Sequence, residues 1–291
     1  MHPLGEADIT FAVLRQLEQT PSPRLREILT SLVTHLHAFV QEVRLTEDEW
    51  LQGIQFLTET GQICTDKRQE FILLSDTLGV SMLVDLITHH KPAGATETTV
   101  MGPFHVQGAP ELPNGASIAR SDGGAPLWFS GRVLDLDGKP IVGAVLDVWQ
   151  TAANGLYDVQ DPAQPAFNMR GKLRTDAHGH FAFRTTRPIS YPIPTDGPVG
   201  KLFDATTRQP YRPAHIHFIV TAEGFTPVTT HLFDAADGYL HTDAVFAFKP
   251  SLACQFEQHD NADGAPDPHM PVPYYTAAYD FVLTRAAAAP V

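Results

Sequence analysis

Cysteine is scarce in this sequence, and its scarcity limits the kind of fold that the chain can adopt. Only two cysteines occur in 291 residues, Cys64 and Cys254, and they lie far apart with no C-x-x-C pair. A disulfide framework is therefore not expected. We predict that both thiols are free in a reducing cytoplasm, which makes the cytoplasm the expected location of the protein.

Positive charge is also in short supply. The chain has 33 acidic and 20 basic residues, which gives a formal net charge of −13 at pH 7. Nucleic acids and anionic membrane surfaces attract basic proteins, so both are excluded as expected partners. The acidic excess instead favours solubility.

Long apolar runs and a leader pattern are missing as well. No stretch approaches the roughly 18 uninterrupted apolar residues of a membrane-spanning helix. The first residues have no basic segment followed by an apolar one, so we expect no signal peptide. Hydrophobic residues still make up 43% of the chain, which is enough for one large or two modest domains with a packed core.

Residues 1–92 have the pattern of a helical region. Apolar residues recur at helical spacing from Leu25 to Val40. Thr46 and Glu49 form a predicted capping box at the start of the next helix. The segment from Phe71 to Ile87 is apolar on most of its circumference, which predicts a single buried helix.

Residues 93–291 have a different character, with short apolar runs between polar turns. Many short strands joined by such turns are typical of a β-sandwich. The fold class is therefore predicted to be α+β, with a helical region at 1–92 followed by a β-sandwich domain at 93–291. The predicted strands are Leu127–Leu134, Ala144–Trp149, Gly179–Thr185, His215–Thr221, Val228–Phe233 and Tyr279–Thr284.

A pair of histidines lies inside one of these predicted strands. His215 and His217 are two residues apart, and side chains at that spacing in a strand point to the same face. Both imidazoles can therefore reach one metal ion, although the pair alone suits Zn, Cu, Fe or Ni. The alternative is a strand with one buried, hydrogen-bonded histidine. The pair His35 and His37 lies in a helical pattern, where the side chains diverge.

Two tyrosines stand in turn-rich segments upstream of the histidine pair. Tyr157 lies two residues after Gly155. Tyr191 lies in the segment of residues 187–198, which contains four prolines. A phenolate is a hard oxygen donor, so two phenolates with two neutral imidazoles suit Fe(III). For any single tyrosine, the ordinary alternative is packing with a hydrogen-bonded hydroxyl group.

Taken together, the motifs Gly155-Leu-Tyr157-Asp, Tyr191-Pro-Ile-Pro and Arg212-Pro-Ala-His215-Ile-His217 resemble the intradiol ring-cleaving dioxygenases. The resemblance covers nearly the whole chain, including the N-terminal helices. It implies one Fe(III) per subunit, held by Tyr157, Tyr191, His215 and His217. It gives no metal role to Tyr211, which adjoins the histidine pair but lies outside the tyrosine motifs.

The family includes catechol, chlorocatechol and hydroxyquinol 1,2-dioxygenases, and several segments are most similar to the hydroxyquinol enzymes. Catechol enzymes more often have a glutamine where this chain has His231. The segment Phe233–Tyr239 departs from the usual family turn, which affects the edge of the pocket. The resemblance thus implies cleavage of hydroxyquinol (1,2,4-trihydroxybenzene) by O2 to 3-hydroxy-cis,cis-muconate and maleylacetate, with catechol or chlorocatechol as the alternative substrate.

The resemblance also implies roles around the iron. Tyr191 would leave the metal and take a substrate proton, and Arg212 would stabilise negative charge on the ring; the alternative for Arg212 is a structural ion pair. Asp85 would contact the additional hydroxyl group of hydroxyquinol. The remaining predicted pocket residues, for which core packing is the alternative, are Val100, Gly102, Pro103, Phe104, Ile193, Pro194 and Val245.

Assembly and two competing functions complete the expectations. The resemblance implies a homodimer formed through the N-terminal helices, in some members around a bound amphipathic lipid. A zinc hydrolase built on His215, His217 and a carboxylate would leave both tyrosine motifs unexplained. A non-enzymatic β-sandwich transport module would leave the whole ligand set unexplained. Colour distinguishes these functions, because phenolate bound to Fe(III) makes a protein burgundy.

Overall fold

The computed structural model describes residues 5–66, 68–121, 123–268 and 270–286. The chain forms two compact units, Met1–Glu59 and Thr60–Val291. Helices followed by mixed β-sheets confirm the predicted α+β class. The division of the sequence at residue 92, which was drawn from the change in sequence pattern, stays a prediction.

The first unit is helical. Its helices are α1 (Glu6–Leu17), α2 (Pro23–Val43) and α3, which runs from Glu47 to Gln62 and so ends just beyond the unit. Ser22 caps α2 by accepting a hydrogen bond from the backbone N–H of Leu25. The predicted capping box begins α3, because the backbone N–H of Thr46 donates to the Glu49 carboxylate at 2.9 Å and the Glu49 N–H donates to the Thr46 hydroxyl at 3.4 Å.

Apolar side chains of α2 and α3 are exposed in the single chain. The stripe predicted along α2 is present. Its members are more than one third exposed except Leu29, which is half-buried, and the exposed apolar residues of α2 are Leu25, Ile28, Leu32, Leu36, Phe39, Val40 and Val43. An open groove of about 820 Å³ lies along this stripe. It is lined by Leu36, Phe39 and Val40 of α2 and by residues of α3 such as Trp50 and Ile54. The first unit therefore presents a large apolar surface.

The second unit begins with two helices where the sequence predicted one. The segment Phe71–Ile87 forms α4 (Glu70–Thr77) and α5 (Val80–Thr88), and the prediction of a single buried helix is wrong. Gly79 separates the helices with a φ of +75°, a backbone conformation that favours glycine. The segment is also not buried throughout, since Leu83 and Ile87 are 58% and 74% exposed.

The remaining elements are mostly strands. A further helix, α6 (Pro198–Thr206), was not predicted. The strands are β1 (Pro126–Asp135), β2 (Val145–Trp149), β3 (Arg170–Arg174), β4 (His180–Thr186), β5 (Tyr191–Pro192), β6 (Tyr211–Arg212), β7 (His215–Thr221), β8 (Val228–Asp234), β9 (Ala253–Cys254), β10 (Glu257–His259), β11 (Tyr274–Ala278) and β12 (Phe281–Leu283). The strand predicted at Tyr279–Thr284 is thus shorter than expected.

Two five-stranded sheets form the sandwich. One has the order β3-β2-β7-β8-β9, and the other has the order β10-β11-β1-β12 with β4 paired to β1. A separate antiparallel ribbon joins β5 to β6. Aromatic rings fill the space between the sheets: Phe218 of β7 lies 5.5 Å from Phe129 of β1 and 5.0 Å from Phe281 of β12 between ring centroids.

Strand β7 shows how the core positions the site. Its residues Ile216, Phe218 and Val220 are fully buried within the hydrophobic core. Because side chains alternate along a strand, His215 and His217 point to the opposite face of the same sheet. The β7–β8 register places His217 opposite His231.

The structure also bears on membrane insertion. Among the described residues, no single helix is long and apolar enough to cross a membrane. Helices α4 and α5 pass that test only as a pair, and they are bent by 78° at their junction.

Candidate metal centre and substrate pocket

The four predicted metal ligands come from three separate parts of the second unit. Tyr157 lies in the long loop between β2 and β3, Tyr191 lies on β5, and His215 and His217 lie on β7. All four side chains are buried, with exposures between 1% and 5%. Their meeting point is thus set by the sheet, by the β5–β6 ribbon and by one loop.

The donor atoms of these four residues converge. Tyr157 Oη lies 3.0 Å from Tyr191 Oη and 2.9 Å from His217 Nε2. His215 Nε2 lies 3.1 Å from His217 Nε2 and 3.4 Å from Tyr191 Oη. Two oxygen and two nitrogen atoms therefore form a closed ring, which we call the four-donor cluster.

Burial keeps the histidines of the cluster neutral. The pKa of His215 is well below its usual value because of burial, and the Arg212 cation lowers it further. The pKa of His217 is also well below its usual value, again because of burial and then because of His231 and His215. The Nδ1 atom of His215 lies 2.7 Å from the carbonyl oxygen of Pro213. Nδ1–H donation to this carbonyl leaves the Nε2 lone pair directed at the cluster.

The two phenols differ in their surroundings. Burial raises the pKa of Tyr157 well above its usual value, and the neighbouring Tyr191 raises it further. The Tyr157 ring stacks on Phe104 with ring centroids 4.6 Å apart, and the Arg170 guanidinium lies 5.7 Å from its centroid. Burial also raises the pKa of Tyr191, and here the Arg212 cation opposes the shift. A metal cation at the cluster would favour both phenolates.

Arg212 lies beside the cluster and is almost fully buried. Its Nε donates to Asp243 Oδ1 at 3.2 Å, and its Nη1 lies 3.1 Å from His215 Nε2. Burial would lower its pKa, but Asp243 and the tyrosines raise it above its usual range. The guanidinium is therefore a fixed positive charge at the edge of the cluster.

His231 is a site residue that the sequence did not predict as one. Among the described residues, His215, His217 and His231 form a cluster whose ligand atoms lie within 4.8 Å of one another, and this cluster contains no carboxylate. His231 Nδ1 lies 3.2 Å from Arg212 Nη2, which directs this nitrogen toward the cation. The β7–β8 pairing was the signal that could have revealed it, since His231 lies directly opposite His217.

A narrow cavity opens beside the four-donor cluster. Seven of the eight predicted pocket residues line it: Val100, Gly102, Pro103, Phe104, Ile193, Pro194 and Val245. Tyr191, Arg212 and His217 complete its polar side. A second cavity of about 320 Å³ shares Pro103, Phe104 and Pro194 with the first and is also lined by Arg68 and Asp196. The two cavities are therefore adjacent.

Asp85 does not line the cavity beside the cluster, and its prediction as a pocket residue is corrected. Its carboxylate accepts a hydrogen bond from the Thr98 hydroxyl at 3.0 Å and lies 2.9 Å from His89 Nδ1 and 3.6 Å from Lys249 Nζ. The error has a physical reason. The break at Gly79 turns α5 away from the line of α4, so Asp85 does not continue the face that reaches the pocket.

Two residues of α4 take that place. Leu73 and Asp76 both line the cavity, and Asp76 is 3% exposed. Their spacing of three residues puts them on one face of the helix. An aspartate within an otherwise apolar helical segment was the available sequence signal. Burial raises the pKa of Asp76, while Ser81 and Arg212 oppose that shift.

Tyr211 lies outside the four-donor cluster, as the sequence predicted. It pairs with Pro192 across the β5–β6 ribbon, one position away from the pair of Tyr191 with Arg212. Its ring stacks on Tyr239 with centroids 4.9 Å apart, and the side chain is 36% exposed. Adjacent residues of β6 thus point to opposite faces, so Tyr211 and Arg212 have different surroundings.

Comparisons with known proteins agree with this geometry. The family profile described as "Dioxygenase" matches residues 100–285, and the profile described as "Catechol dioxygenase N terminus" matches residues 22–96. The chain belongs to the intradiol ring-cleaving dioxygenases. It is accordingly an oxidoreductase that acts on aromatic substrates with O2, and the non-enzymatic transport module is excluded.

Similar proteins cover almost the whole chain. A hydroxyquinol 1,2-dioxygenase from a Rhizobium species is 50% identical over 94% of this chain and 93% of its own length. A 6-chlorohydroxyquinol 1,2-dioxygenase from Cupriavidus pinatubonensis is 48% identical over 97% of this chain and 99% of its own. The crystal structure of a hydroxyquinol 1,2-dioxygenase from Pseudomonas putida matches with a TM-score of 0.90 and 54% identity, over 97% of this chain and 99% of that one.

Proposed function

We propose that the protein is a hydroxyquinol 1,2-dioxygenase with one Fe(III) per subunit, held by Tyr157, Tyr191, His215 and His217. The observation that carries the proposal is the convergence of their four donor atoms, with neighbouring distances of 2.9 to 3.4 Å inside a buried site. These positions are also those implied by the resemblance of the motifs.

The chemistry of the donor set fits iron in its trivalent state. Two neutral imidazoles and two phenols meet at one point, and buried phenols become strong anionic donors only when a cation offsets their ionisation. The zinc hydrolase considered as the alternative would use a carboxylate as a ligand beside His215 and His217. Neither the four-donor cluster nor the three-histidine group contains a carboxylate, which argues against that alternative.

Bound Fe(III) would act as a Lewis acid that orients the two adjacent hydroxyl oxygens of the substrate ring. The protein residues supply the remaining functions. Tyr191, which the Arg212 cation faces, would hold the metal and is also assigned to accept a substrate proton. Arg212, held in place by Asp243, stabilises the negative charge that develops on the ring.

The pocket residues orient the substrate. Apolar groups such as Val100, Phe104 and Ile193 pack against the faces of a flat aromatic ring and exclude water. Asp76 replaces Asp85 as the partner proposed for the additional hydroxyl group of hydroxyquinol. It is the aspartate that lines the cavity, and a buried hydroxyl group without a partner costs about 1–3 kcal/mol.

Hydroxyquinol is preferred over catechol as the proposed substrate for two reasons. The similar proteins described above are hydroxyquinol and 6-chlorohydroxyquinol dioxygenases. The carboxyl group of Asp76 also supplies a polar partner that catechol would leave unused. The expected product is 3-hydroxy-cis,cis-muconate, which converts to maleylacetate, and catechol or chlorocatechol remains the alternative substrate.

The test is turnover of iron-loaded protein under ¹⁸O₂ with hydroxyquinol, catechol and a chlorocatechol in parallel. The proposal expects both labelled atoms in a ring-opened dicarboxylate and the highest kcat/KM with hydroxyquinol. A higher kcat/KM for catechol than for hydroxyquinol would refute the assignment of hydroxyquinol as the substrate. A colourless protein that neither binds iron nor consumes O2 would refute the metal centre.

The proposal extends to assembly and location. A second copy is the proposed cover for the exposed apolar stripe of α2, because apolar patches of this extent mark interaction sites. The groove of about 820 Å³ has room for the acyl chain of a bound lipid within a homodimer. Residues 1–92 would then serve assembly, residues 93–291 would serve catalysis, and the location would be cytoplasmic.

A further inference from the structure

The turn that follows β8 connects two segments of the site. Asp237 lies in this turn, within the segment Phe233–Tyr239. Its Oδ2 accepts a hydrogen bond from the backbone N–H of Ala214 at 2.9 Å and another from the hydroxyl group of Ser190. Its Oδ1 accepts from the backbone N–H of Tyr239 at 2.8 Å, which holds the carboxylate in place.

The two bonds to Oδ2 have a common feature. Ser190 immediately precedes Tyr191, and Ala214 immediately precedes His215. One oxygen atom therefore ties together the backbone segments that carry two of the four donors. The side-chain atoms of those donors, Tyr191 Oη and His215 Nε2, lie 3.4 Å apart.

A second aspartate of the same turn reinforces the connection. Asp234 pairs with Arg187, three residues before Ser190, through bonds of 3.0 Å from Nε and 2.5 Å from Nη2. Its backbone N–H donates to the carbonyl oxygen of Ala214 at 2.9 Å. The turn thus contacts the same two segments twice, once through each aspartate.

We infer that Asp237 is a positioning residue that fixes the backbone segments of Tyr191 and His215 relative to each other. The inference rests on the proposed function, in which both residues would hold the metal and Tyr191 would also accept a substrate proton. With Ser190 anchored to Asp237, the backbone of Tyr191 keeps its place relative to His215.

Three substitutions separate this role from general stability. Ser190→Ala removes the hydroxyl bond to Asp237 and leaves both donors unchanged, whereas Ser190→Thr retains a hydroxyl group. Asp237→Asn removes the negative charge of the carboxylate that accepts both hydrogen bonds. Ser251→Ala is the matched control, because the Ser251 hydroxyl also donates to a carboxylate, that of Glu97, away from the four-donor cluster.

The experiment measures how fast iron-loaded protein loses its iron to a strong chelator. The loss is followed through the decay of the tyrosinate-to-Fe(III) absorption band. Outer-shell partners of metal ligands affect metal affinity by roughly 10- to 100-fold. Ser190→Ala is therefore expected to lose iron about tenfold faster than the parent and to have a shifted band. Ser190→Thr should restore both properties, and the melting temperatures of Ser190→Ala and Ser251→Ala should be similar.

The outcomes separate the two levels of the proposal. The positioning role alone would be overturned if the parent binds iron with a normal band and both test variants behave like the control. In that case Ser190→Ala and Asp237→Asn would have the same band and the same rate of iron loss to the chelator as Ser251→Ala. A parent without any tyrosinate band would overturn the proposed metal centre and this inference with it. If Asp237→Asn does not fold, the comparison of Ser190→Ala with Ser190→Thr decides.

Discussion

Tyr191 and Arg212 are directly paired across the two-residue antiparallel ribbon of β5 and β6. The backbone therefore fixes a phenol and a permanent cation side by side. The guanidinium lowers the pKa of Tyr191 against the effect of burial, and Asp243 holds it in that position. One short ribbon thus supplies both a group suited to exchange a proton and a fixed charge for an anionic ring.

The metal assignment predicts the effect of removing one oxygen donor. Tyr157→Phe is expected to remove most of the visible absorption and to lower kcat by about 100-fold or more, because one anionic ligand is lost. Folding should be preserved, since phenylalanine keeps the stacking on Phe104. Absorption spectra, bound iron per subunit and far-UV circular dichroism measure these properties.

Tyr211→Phe is the matched control for that substitution. Tyr211 adjoins the histidine motif in sequence but stacks on Tyr239 outside the four-donor cluster. Its hydroxyl group should therefore be dispensable for colour and iron content. A Tyr157→Phe variant that kept the band and turnover of Tyr211→Phe would show that the ligand set is wrongly assigned.

Local patterns in the sequence predicted the parts of the fold that depend on periodicity. The alternation of β7 placed His215 and His217 on one face, and the spacing in α2 placed its apolar stripe. Both are properties of one element in isolation. The capping box of α3 is likewise a contact between residues three positions apart.

The predictions that failed concern features that the periodicity of a single element does not determine. Asp85 and Asp76 are nine positions apart on what looked like one helix, and the left-handed Gly79 between them decides which one reaches the pocket. His231 enters the site only through its pairing with His217 on a neighbouring strand. Neither the helix break nor the strand register has a periodic signal.

Assembly gives a second prediction. Leu32→Glu places a charge on the exposed apolar stripe of α2, where Leu32 is 56% exposed in the single chain. The parent is expected to sediment as a dimer at micromolar concentration, whereas this variant should shift toward monomer because the interface would bury an unpaired carboxylate.

Val142→Glu is the control for the assembly experiment. Val142 is 63% exposed in the second unit and lies outside the predicted helical region of assembly. Its variant should keep the association state of the parent. Sedimentation of the parent as a monomer at micromolar concentration would contradict the proposed dimer.

The raised pKa of Asp76 gives a stability prediction for the protein without substrate. Burial disfavours its charged form, so the folded state holds the proton more tightly than the unfolded state. Its contribution to stability is complete below the ordinary aspartate pKa and is lost as the pH rises through the folded value, so burial of this carboxyl group lowers stability at pH 7. Asp76→Asn should therefore raise the melting temperature at pH 7 by about 2–4 °C, which corresponds to roughly 1 kcal/mol.

Asp85→Asn should have the opposite effect, which makes it the matched comparison for stability. Asp85 is also buried in the second unit, but its carboxylate contacts His89, Thr98 and Lys249. Removal of its charge leaves Lys249 with a weaker partner, so the melting temperature should fall. Calorimetry of both variants beside the parent checks the two signs. A lower melting temperature for Asp76→Asn at pH 7 would contradict the argument from burial.

Substrate preference gives the final prediction. Hydroxyquinol has one hydroxyl group more than catechol, and the buried carboxyl group of Asp76 lines the cavity beside the four-donor cluster. Catechol leaves that carboxyl group without a substrate partner, so the parent should prefer hydroxyquinol by about tenfold or more in kcat/KM. Asp76→Ala should narrow the ratio mainly by lowering kcat/KM for hydroxyquinol, while catechol changes little.

The ratio of the two kcat/KM values is the informative quantity, because the concentration of active enzyme cancels from it. Asp85→Ala is the control, since Asp85 lies outside the cavity and its loss should affect both substrates equally. Equal efficiency on both substrates in the parent would favour catechol as the substrate. A preference that persists unchanged in Asp76→Ala, or that disappears in Asp85→Ala, would show that the hydroxyl group is recognised elsewhere than at Asp76.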